Sequence, residues 1–398
     1  MKFSELNIDK WIVKSLADIG FSEMTDIQEK SLTVALEGKD LIAQAMTGSG
    51  KTAVFGISIV QRTEQKNGIQ ALVVTPTREL ACQVAEEITK FSKYSSLNVA
   101  AVYGGVSIEP QMKKLRYAEV VVGTPGRLLD HMQRGTLKFR NIKILVLDEA
   151  DRMLDMGFID DIRKIISALP LSRQTMLFSA TMPEEIVYIA KKYMKDPVRI
   201  KTQTQISKHL LKHYYYDVQH DKKLSALAGV IEREKPSLAI VFCSTRGATM
   251  TVDRYLRNEN IESKAIHGGI TQYERTHILE GFHRGRPHIL VATDVAARGL
   301  DIKNVSHIFN FDVPKTPDDY THRTGRTARL GEKGKAITLL SREDHPAFQK
   351  IMRYVEVEKA ILGFEPKPVK FFKEERERGR FSRWRSREQP HRQRFRRR

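Results

Sequence analysis

The chain has 398 residues, 41% of them apolar, with 67 Lys and Arg against 48 Asp and Glu and a formal net charge of +19. That length predicts two or three domains, each with its own core, and the charge predicts a polyanionic partner, nucleic acid or anionic lipid. No apolar run is long enough to span a bilayer, the segment MKFSELNIDK lacks the apolar stretch of a secretory leader, and Cys82 and Cys243 lie far apart outside any metal-ligand spacing, so buried free thiols and a cytoplasmic location are expected.

Residues 3–27 read as mostly helical, with two apolar clusters separated at Gly20-Phe21. In G-F-S-E-M-T-D-I-Q (20–28), Gln28 can offer an amide donor and acceptor to an adenine edge, and Phe21 can stack on a base. Equally, Thr25 and Gln28 have the spacing of a helix capping box. Leu41–Ala45 reads as a buried strand and Ala53–Val60 as a helix with an apolar face. Between them runs A-M-T-G-S-G-K-T: Ala45, Met46, Thr47, Gly48, Ser49, Gly50, Lys51 and Thr52. A strand, a glycine-rich turn and a helix start form a phosphate cradle, with backbone N–H groups and the helix dipole turned inward. Lys51 would reach the β- and γ-phosphates and Thr52 would offer its hydroxyl to Mg²⁺. Ala45 stands where a strict phosphate loop has its first glycine.

Further buried strands are expected at 71–75, ending in P-T-R-E-L (76–80); at 99–103, ending in Gly104-Gly105; and at 120–122, ending in G-T-P-G-R (123–127). Small residues, hydroxyls and an Arg at helix starts suit contacts to the phosphates of a strand lying over a sheet's carboxyl edge. Singly, such residues are what any strand-to-helix turn needs; three in succession favour the first reading. Ile144–Leu147 is an all-apolar strand that delivers D-E-A-D (148–151). Asp148 there would hold Mg²⁺ through water, and Glu149 would orient and deprotonate an attacking water. The strand at 175–178 ends in S-A-T (179–181), whose hydroxyls could relay a change toward a second domain, and a helix over 183–194 closes the first unit.

After the polar, weakly patterned residues 201–212 a second strand–helix series begins, with strands at 238–242, 264–266 and 289–292 and helices at 248–256 and from Gln272. None of its strands is followed by G-K-S or G-K-T. It carries Q-Y-E-R (272–275), T-D-V-A-A-R-G-L-D (293–301) and H-R-T-G-R-T-A-R (322–329). Arg323, Arg326 and Arg329, three residues apart, are expected to form one cationic face on a helix or tight turn. On a domain without a cradle of its own, such a face reads either as a solvated stripe or as arginine fingers delivered across a cleft.

With these motifs in this order, the chain resembles the DEAD-box RNA helicases of superfamily 2 over roughly residues 1 to 360. Met24, Met46 and Ala328 replace that family's usual Pro, Gln and last Gly. The resemblance implies an α/β fold of two tandem RecA-like parallel-sheet domains flanking a cleft, with a disordered basic C-terminal tail. The implied division is an adenine-recognising segment (1–30) packed on the first domain, an ATP-binding domain (31–202), a linker (203–212), a second RecA-like domain (213–362) and the tail (363–398). It further implies ATP and Mg²⁺ as cofactors. Phe21 and Gln28 would lie on adenine and residues 45–52 on the triphosphate, with Lys51, Asp148 and Glu149 catalytic. Thr52 and Asp148 would serve the metal, Asp294 the ribose, and Arg326 and Arg329 the γ-phosphate. Pro76, Thr77, Arg78, Glu79, Gly105, Thr124, Gly126, Arg127, Arg275 and Thr293 would line an RNA path, and Ser179, Thr181, Asp151 and His322 would couple the two sites.

The function implied is ATP-dependent unwinding or remodelling of RNA, single-stranded or in short duplexes, within ribosomal or RNA-decay complexes and with no membrane role. The rivals are an ATP-gated RNA clamp with incidental unwinding and a DNA-directed motor. From Phe371 the chain has eleven Arg and one Lys against four Glu, interleaved with Phe381, Trp384 and Phe395. That composition suits either sequence-tolerant RNA contact or a solubilising charge run.

Overall fold

The computed structural model describes residues 1–45, 48–202, 210–297, 305–328 and 333–369. Two seven-stranded sheets, parallel throughout, organise the chain. The first contains β1 (Leu41–Gln44), β2 (Ala71–Val74), β3 (Val99–Val102), β4 (Val120–Gly123), β5 (Ile144–Leu147), β6 (Gln174–Ser179) and β7 (Val198–Lys201), in the order 3-4-2-5-6-1-7. The second contains β8 (Leu211–Asp217), β9 (Ala239–Cys243), β10 (Ser263–Ile266), β11 (Ile289–Thr293), β12 (His307–Asn310), β13 (Gly334–Leu340) and β14 (Glu358–Lys359), in the order 10-11-9-12-13-8-14. Counted within its own half, the second order repeats the first.

The helices before the second sheet are α1 (Lys10–Asp18), α2 (Asp26–Leu36), α3 (Lys51–Arg62), α4 (Arg78–Phe91), α5 (Glu109–Leu115), α6 (Pro125–Gln133), α7 (Ala150–Asp155), α8 (Ile159–Ser167) and α9 (Glu184–Tyr193). Those of the second half are α10 (Lys223–Glu234), α11 (Arg246–Asn258), α12 (Gln272–His283), α13 (Asp294–Ala297), α14 (Pro317–Thr324) and α15 (His345–Met352).

The strands form where apolar residues run unbroken. A-L-V-V of β2 and I-L-V-L of β5 are buried throughout, as expected of parallel strands covered on both faces. Alternate side chains serve opposite layers. Val73, Val146 and Phe178 pack with α1 to α4, whereas Leu72, Leu145 and Leu177 pack with α6, α8 and α9. Register then sets the functional edge. Val74 lies opposite both Gly123 and Leu147, and Gln44 opposite Ser179, so the phosphate loop, P-T-R-E-L, T-P-G-R, D-E-A-D and S-A-T all emerge at one carboxyl edge.

The nine strands expected from sequence are all present, with bounds moved by one residue at most. Three expectations need correction. The N-terminal stretch is not mostly helical: a short 3₁₀ turn (Phe3–Glu5) precedes α1, and the chain turns at Gly20 (φ +80°) before α2 starts at Asp26. Cys243 is buried but Cys82 is only half-buried, on α4. Residues 363–369 belong to the second domain's surface rather than to a tail. Phe364 packs where Gly229 leaves room, the Ser225 hydroxyl donates to the Lys367 carbonyl (2.7 Å), and the Val369 N–H donates to the Asp221 carbonyl (2.8 Å). Residues 370–398, and 203–209 of the expected linker, lie outside the described residues. Among the described residues no helix is long and apolar enough to cross a membrane.

Candidate functional site

The turn from β1 to α3 needs glycine at two points. Gly48 and Gly50 have φ of +83° and +95°, where other L-residues are strained. A Cβ at Gly50 would also lie 2.4 Å from Gln28 Nε2. That amide explains the turn's support. Gln28 Oε1 accepts the Thr25 N–H (2.8 Å), completing a capping box on α2, while Gln28 Nε2 donates to the Gly50 carbonyl (3.1 Å) and the Thr25 hydroxyl donates to the Ser49 carbonyl (2.8 Å). The capping box therefore exists and also braces the phosphate loop from behind. Phe21 stands between Phe3 and Phe91, with ring centroids 5.9 and 5.8 Å away. Ala45 is fully buried, and Lys51, itself buried, donates from Nζ to its carbonyl at 2.6 Å. Burial pulls the Lys51 pKa down against the pull of Asp148, Glu149 and Asp151. Thr52 is the second residue of α3. Met46 and Thr47 lie outside the described residues.

The acidic group follows β5. Burial pushes the Asp148 carboxyl up to about 7, with Lys51 opposing the shift. Glu149 occupies the left-handed region (φ +52°), a strained conformation for a residue other than glycine. Its Oε2 accepts from Arg152 Nη1 at 2.7 Å, in a pair 6% and 2% exposed. Burial alone would raise its pKa, but Arg152, Arg326 and Lys51 together hold it low. Asp151 is clamped by the S-A-T turn: its Oδ2 accepts from the Ala180 N–H (3.1 Å), the Thr181 N–H (2.8 Å) and the Thr181 hydroxyl (3.1 Å), and its own N–H donates to the Ser179 hydroxyl (3.2 Å). His322 Nε2 of α14 stands 3.9 Å from the same oxygen. Burial, with Arg152 nearby, lowers the His322 pKa to about 4, so the imidazole is neutral at pH 7. Ser179, Thr181, Asp151 and His322 thus form one contiguous set across the two domains.

On the second domain, α14 ends at Thr324 with Gly325 as its cap, and Arg326 lies in the following turn, 3% exposed and close enough to bear on Glu149. The expected single face of three arginines does not form. Arg323 points into its own domain: it forks Asp294 (2.6 and 2.7 Å) and donates to Asn310 Oδ1 (3.1 Å) and the Asp312 carbonyl (2.6 Å). Residues three apart share a face only while the helix lasts, and this helix ends between Arg323 and Arg326. Arg329 lies outside the described residues. A pocket between the domains is lined by Arg152, Phe242, Asp294, Asp319, His322 and Arg326.

The strand-end residues form a second surface along the same edges. Thr77 caps α4, accepting the Leu80 N–H (3.3 Å), with Pro76 buried beside it. The Arg78 guanidinium lies 4.4 Å over the Tyr103 ring, close to Gly105 (φ +79°). Arg127 Nη2 donates to the Val106 carbonyl at 2.9 Å. Nη1 of each arginine is buried with no hydrogen-bond partner among the described residues. Thr124 is the N-cap residue just before α6, and Gly126 has open space where a Cβ would be. Glu79 and Arg275 face each other across the domains at 2.6 Å, without hydrogen-bond alignment of that N–H, while Arg275 Nη2 donates to the Ala296 carbonyl (2.7 Å). The Thr293 hydroxyl accepts the Ala296 N–H (3.3 Å).

Two features escaped the sequence. No motif singles out Arg152 in the sequence, yet it is the buried partner of Glu149. The second domain also repeats the Thr-Arg turn and the glycine pair. Thr245 caps α11 through the Ala248 N–H (3.1 Å), and Arg246 lies so close to Gly269 that a Cβ there would meet its guanidinium at 2.3 Å. The signal was present in S-T-R and H-G-G at matching strand ends.

Comparison with known proteins agrees with this geometry. Residues 25–189 match the DEAD/DEAH box helicase family model, and residues 222–331 match the helicase conserved C-terminal domain. The ATP-dependent RNA helicase CshA of Listeria monocytogenes is 48% identical over 343 residues; the match covers 85% of this chain and 66% of that protein, so this chain spans about two thirds of its length. A DEAD box protein from Methanococcus jannaschii is 41% identical, with 91% of this chain and 99% of that one covered and a TM-score of 0.55. S. cerevisiae Dbp5 bound to RNA and ADP BeF3 is 30% identical, with 91% and 96% covered and a TM-score of 0.83. The chain belongs to the DEAD-box family of ATP-dependent RNA helicases.

Proposed function

We propose that this chain binds ATP between its two domains, hydrolyses it when RNA bridges the same domains, and through that cycle opens short RNA duplexes or remodels RNA–protein complexes in the cytoplasm. The observation that carries this reading is the meeting in one cleft of Asp148, Glu149 and Asp151 of the first domain with His322 and Arg326 of the second.

The chain's own groups have distinct tasks in this reading. Residues 45–50 cradle the triphosphate, and Lys51 exchanges the Ala45 carbonyl for phosphate oxygens. Gln28 and Phe21 recognise adenine; because the Gln28 amide also braces Gly50, base recognition and loop geometry are one network. Mg²⁺, when bound, supplies charge neutralisation on the phosphates. Thr52 and Asp148 are the residues that would hold it, and a buried carboxyl raised to about 7 is one that a nearby cation returns to its ionised form. Glu149, kept ionised by Arg152, orients the attacking water and takes its proton as the bond from the γ-phosphorus to the bridging oxygen breaks. Arg326 and Arg329 stabilise the charge on the transferred group. Asp294, fixed by Arg323, receives the ribose.

RNA lies over Pro76, Thr77, Arg78, Glu79, Gly105, Thr124, Gly126, Arg127, Arg275 and Thr293, with Arg246 and Gly269 added by the repeated geometry. Ser179, Thr181, Asp151 and His322 join that surface to the nucleotide. In a two-domain chain the overall structural score falls when the domains are set differently. The higher score to the protein bound to RNA and ADP BeF3, despite lower identity, supports a closed arrangement. The test is ATP hydrolysis with and without single-stranded RNA. Slow turnover alone and acceleration by RNA are expected; full-rate turnover without polynucleotide would contradict the proposal.

A further inference from the structure

The glycine turn after β3 continues directly into α5, and α5 has two sharply different faces. Gln111 and Leu115 are buried. Lys113, Lys114 and Arg116 are exposed, and Tyr117, just past the helix end, is 73% exposed. Lys113 and Lys114 lie in the last turn of α5, and Arg116 and Tyr117 follow at once in the turn past its end, so the four exposed side chains are consecutive apart from buried Leu115. None of the three cations forms an ion pair among the described residues. The acidic neighbours are otherwise disposed: Glu109 sits at the helix start, and Glu119 is buried, accepting the Lys66 and Asn98 N–H groups (2.9 and 2.8 Å). Unpaired cations around an exposed ring are the combination that binds single-stranded nucleic acid through charge and stacking.

The buried face fixes this patch to the strand-end loop. Gln111 Oε1 accepts the Tyr103 N–H (3.2 Å), while its Nε2 donates to the carbonyls of Tyr103 (3.1 Å) and Ser107 (3.4 Å). His131 of α6 backs the same amide, with Nε2 3.4 Å from Gln111 Oε1. Tyr103 carries the Arg78 guanidinium on its ring, and Arg127 holds the Val106 carbonyl. One hydrogen-bonded block therefore joins Arg78, the loop at 104–107, Arg127 and α5.

We propose that the RNA path of the first domain does not end at Gly105 but continues along α5, where Lys113, Lys114 and Arg116 take backbone phosphates and Tyr117 stacks on a base of the flanking single strand. This rests on the RNA reading of the strand-end residues given above. It predicts that a longer strand binds more tightly than a short one because of this face.

The test uses the full chain and strands of about 6 and about 16 nucleotides, within the range one site covers. Replacing Lys113, Lys114 and Arg116 together by Gln should narrow the long-to-short affinity ratio roughly tenfold, and should flatten the log–log salt slope for the long strand by about 2, at about 0.7 per phosphate released. Tyr117→Ala should weaken the long strand while leaving that slope unchanged, and supplies a separate arm should the triple variant misfold. An unchanged ratio and slope in wild-type and variant proteins would overturn the proposal. So would a triple variant that keeps its RNA ratio but loses binding to poly-glutamate, which would assign the patch to an acidic protein. RNA of either length failing to stimulate the wild-type ATPase would instead refute the RNA reading itself, and the extension with it.

Discussion

The two domains share a strand order yet carry opposite chemistry at equivalent places. In both, a Thr-Arg turn follows the second strand, with the threonine at φ −130° or −131° and ψ 156° capping the next helix, and a glycine pair follows the third. The turn after β1 holds Gly48, Gly50 and Lys51, whereas the turn after β8 reads V-Q-H-D-K and holds no glycine. The connection from β5 to β6 supplies Asp148, Glu149 and Asp151; the equivalent connection from β12 to β13 supplies His322 and Arg326. A repeated scaffold thus places an acidic group opposite a basic one, and the difference lies in the loops. The first domain thus carries the nucleotide cradle and the acidic group, and the second carries the basic group set against them.

The largest effects should divide along that line. Arg326→Ala should lower ATP turnover by about 10³–10⁵ with nucleotide binding retained, whereas Lys51→Ala should lose nucleotide affinity itself. Equilibrium binding and single-turnover hydrolysis on both variants check this; a weakly binding Arg326→Ala would break the division. Next in size, Arg152→Met removes the nearest of the cations that hold buried Glu149 ionised. It should destabilise the first domain by about 3–5 kcal/mol, seen as an early transition in thermal or denaturant unfolding while the second domain's transition stays in place.

Smaller effects belong to the second domain. His213 donates or accepts at Nδ1 with the Tyr320 hydroxyl (2.9 Å), and burial lowers its pKa to about 4. The unfolded chain takes up a proton near pH 6.5 that the folded chain refuses until about pH 4. Stability therefore falls as pH drops through that window, by about 3 kcal/mol at most. His213→Asn should remove its share of this dependence in unfolding measured from pH 7 to 4, leaving the share of His322, whose pKa is lowered to about 4 as well. The smallest change concerns Ala328, which stands where the family has glycine and has φ +55°. Ala328→Gly should raise stability by about 0.5–1 kcal/mol by relieving that strain, net of added chain freedom; an unchanged unfolding midpoint would refute it.

The sheet edges were legible because buried parallel strands read as apolar runs, and glycine, hydroxyl and acidic residues follow them at once. Of the strands left unread, V-R-I-K of β7 alternates half-buried and exposed residues and β14 has only two residues, whereas H-I-F-N of β12 and G-K-A-I-T-L-L of β13 are largely buried but break their apolar runs with His, Asn, Lys and Thr. Side-chain pairings were not legible. Arg323 meets Asp294 and Glu79 meets Arg275 through the fold, not through spacing. Thr25 and Gln28 offered two roles in sequence, and only three dimensions show that one amide caps a helix and holds the phosphate loop together.

The central claim is that ATP and RNA jointly hold the two domains closed and that hydrolysis releases them. The distance between one fluorophore on exposed Lys164 of α8 and another on exposed Arg254 of α11, followed by energy transfer in a Glu149→Gln variant that binds but does not hydrolyse, tests it most directly. The predicted result is a single close distance only when ATP and single-stranded RNA are both present, persisting until RNA is competed away. The same distance under all four conditions, or closure by RNA alone, would contradict the account.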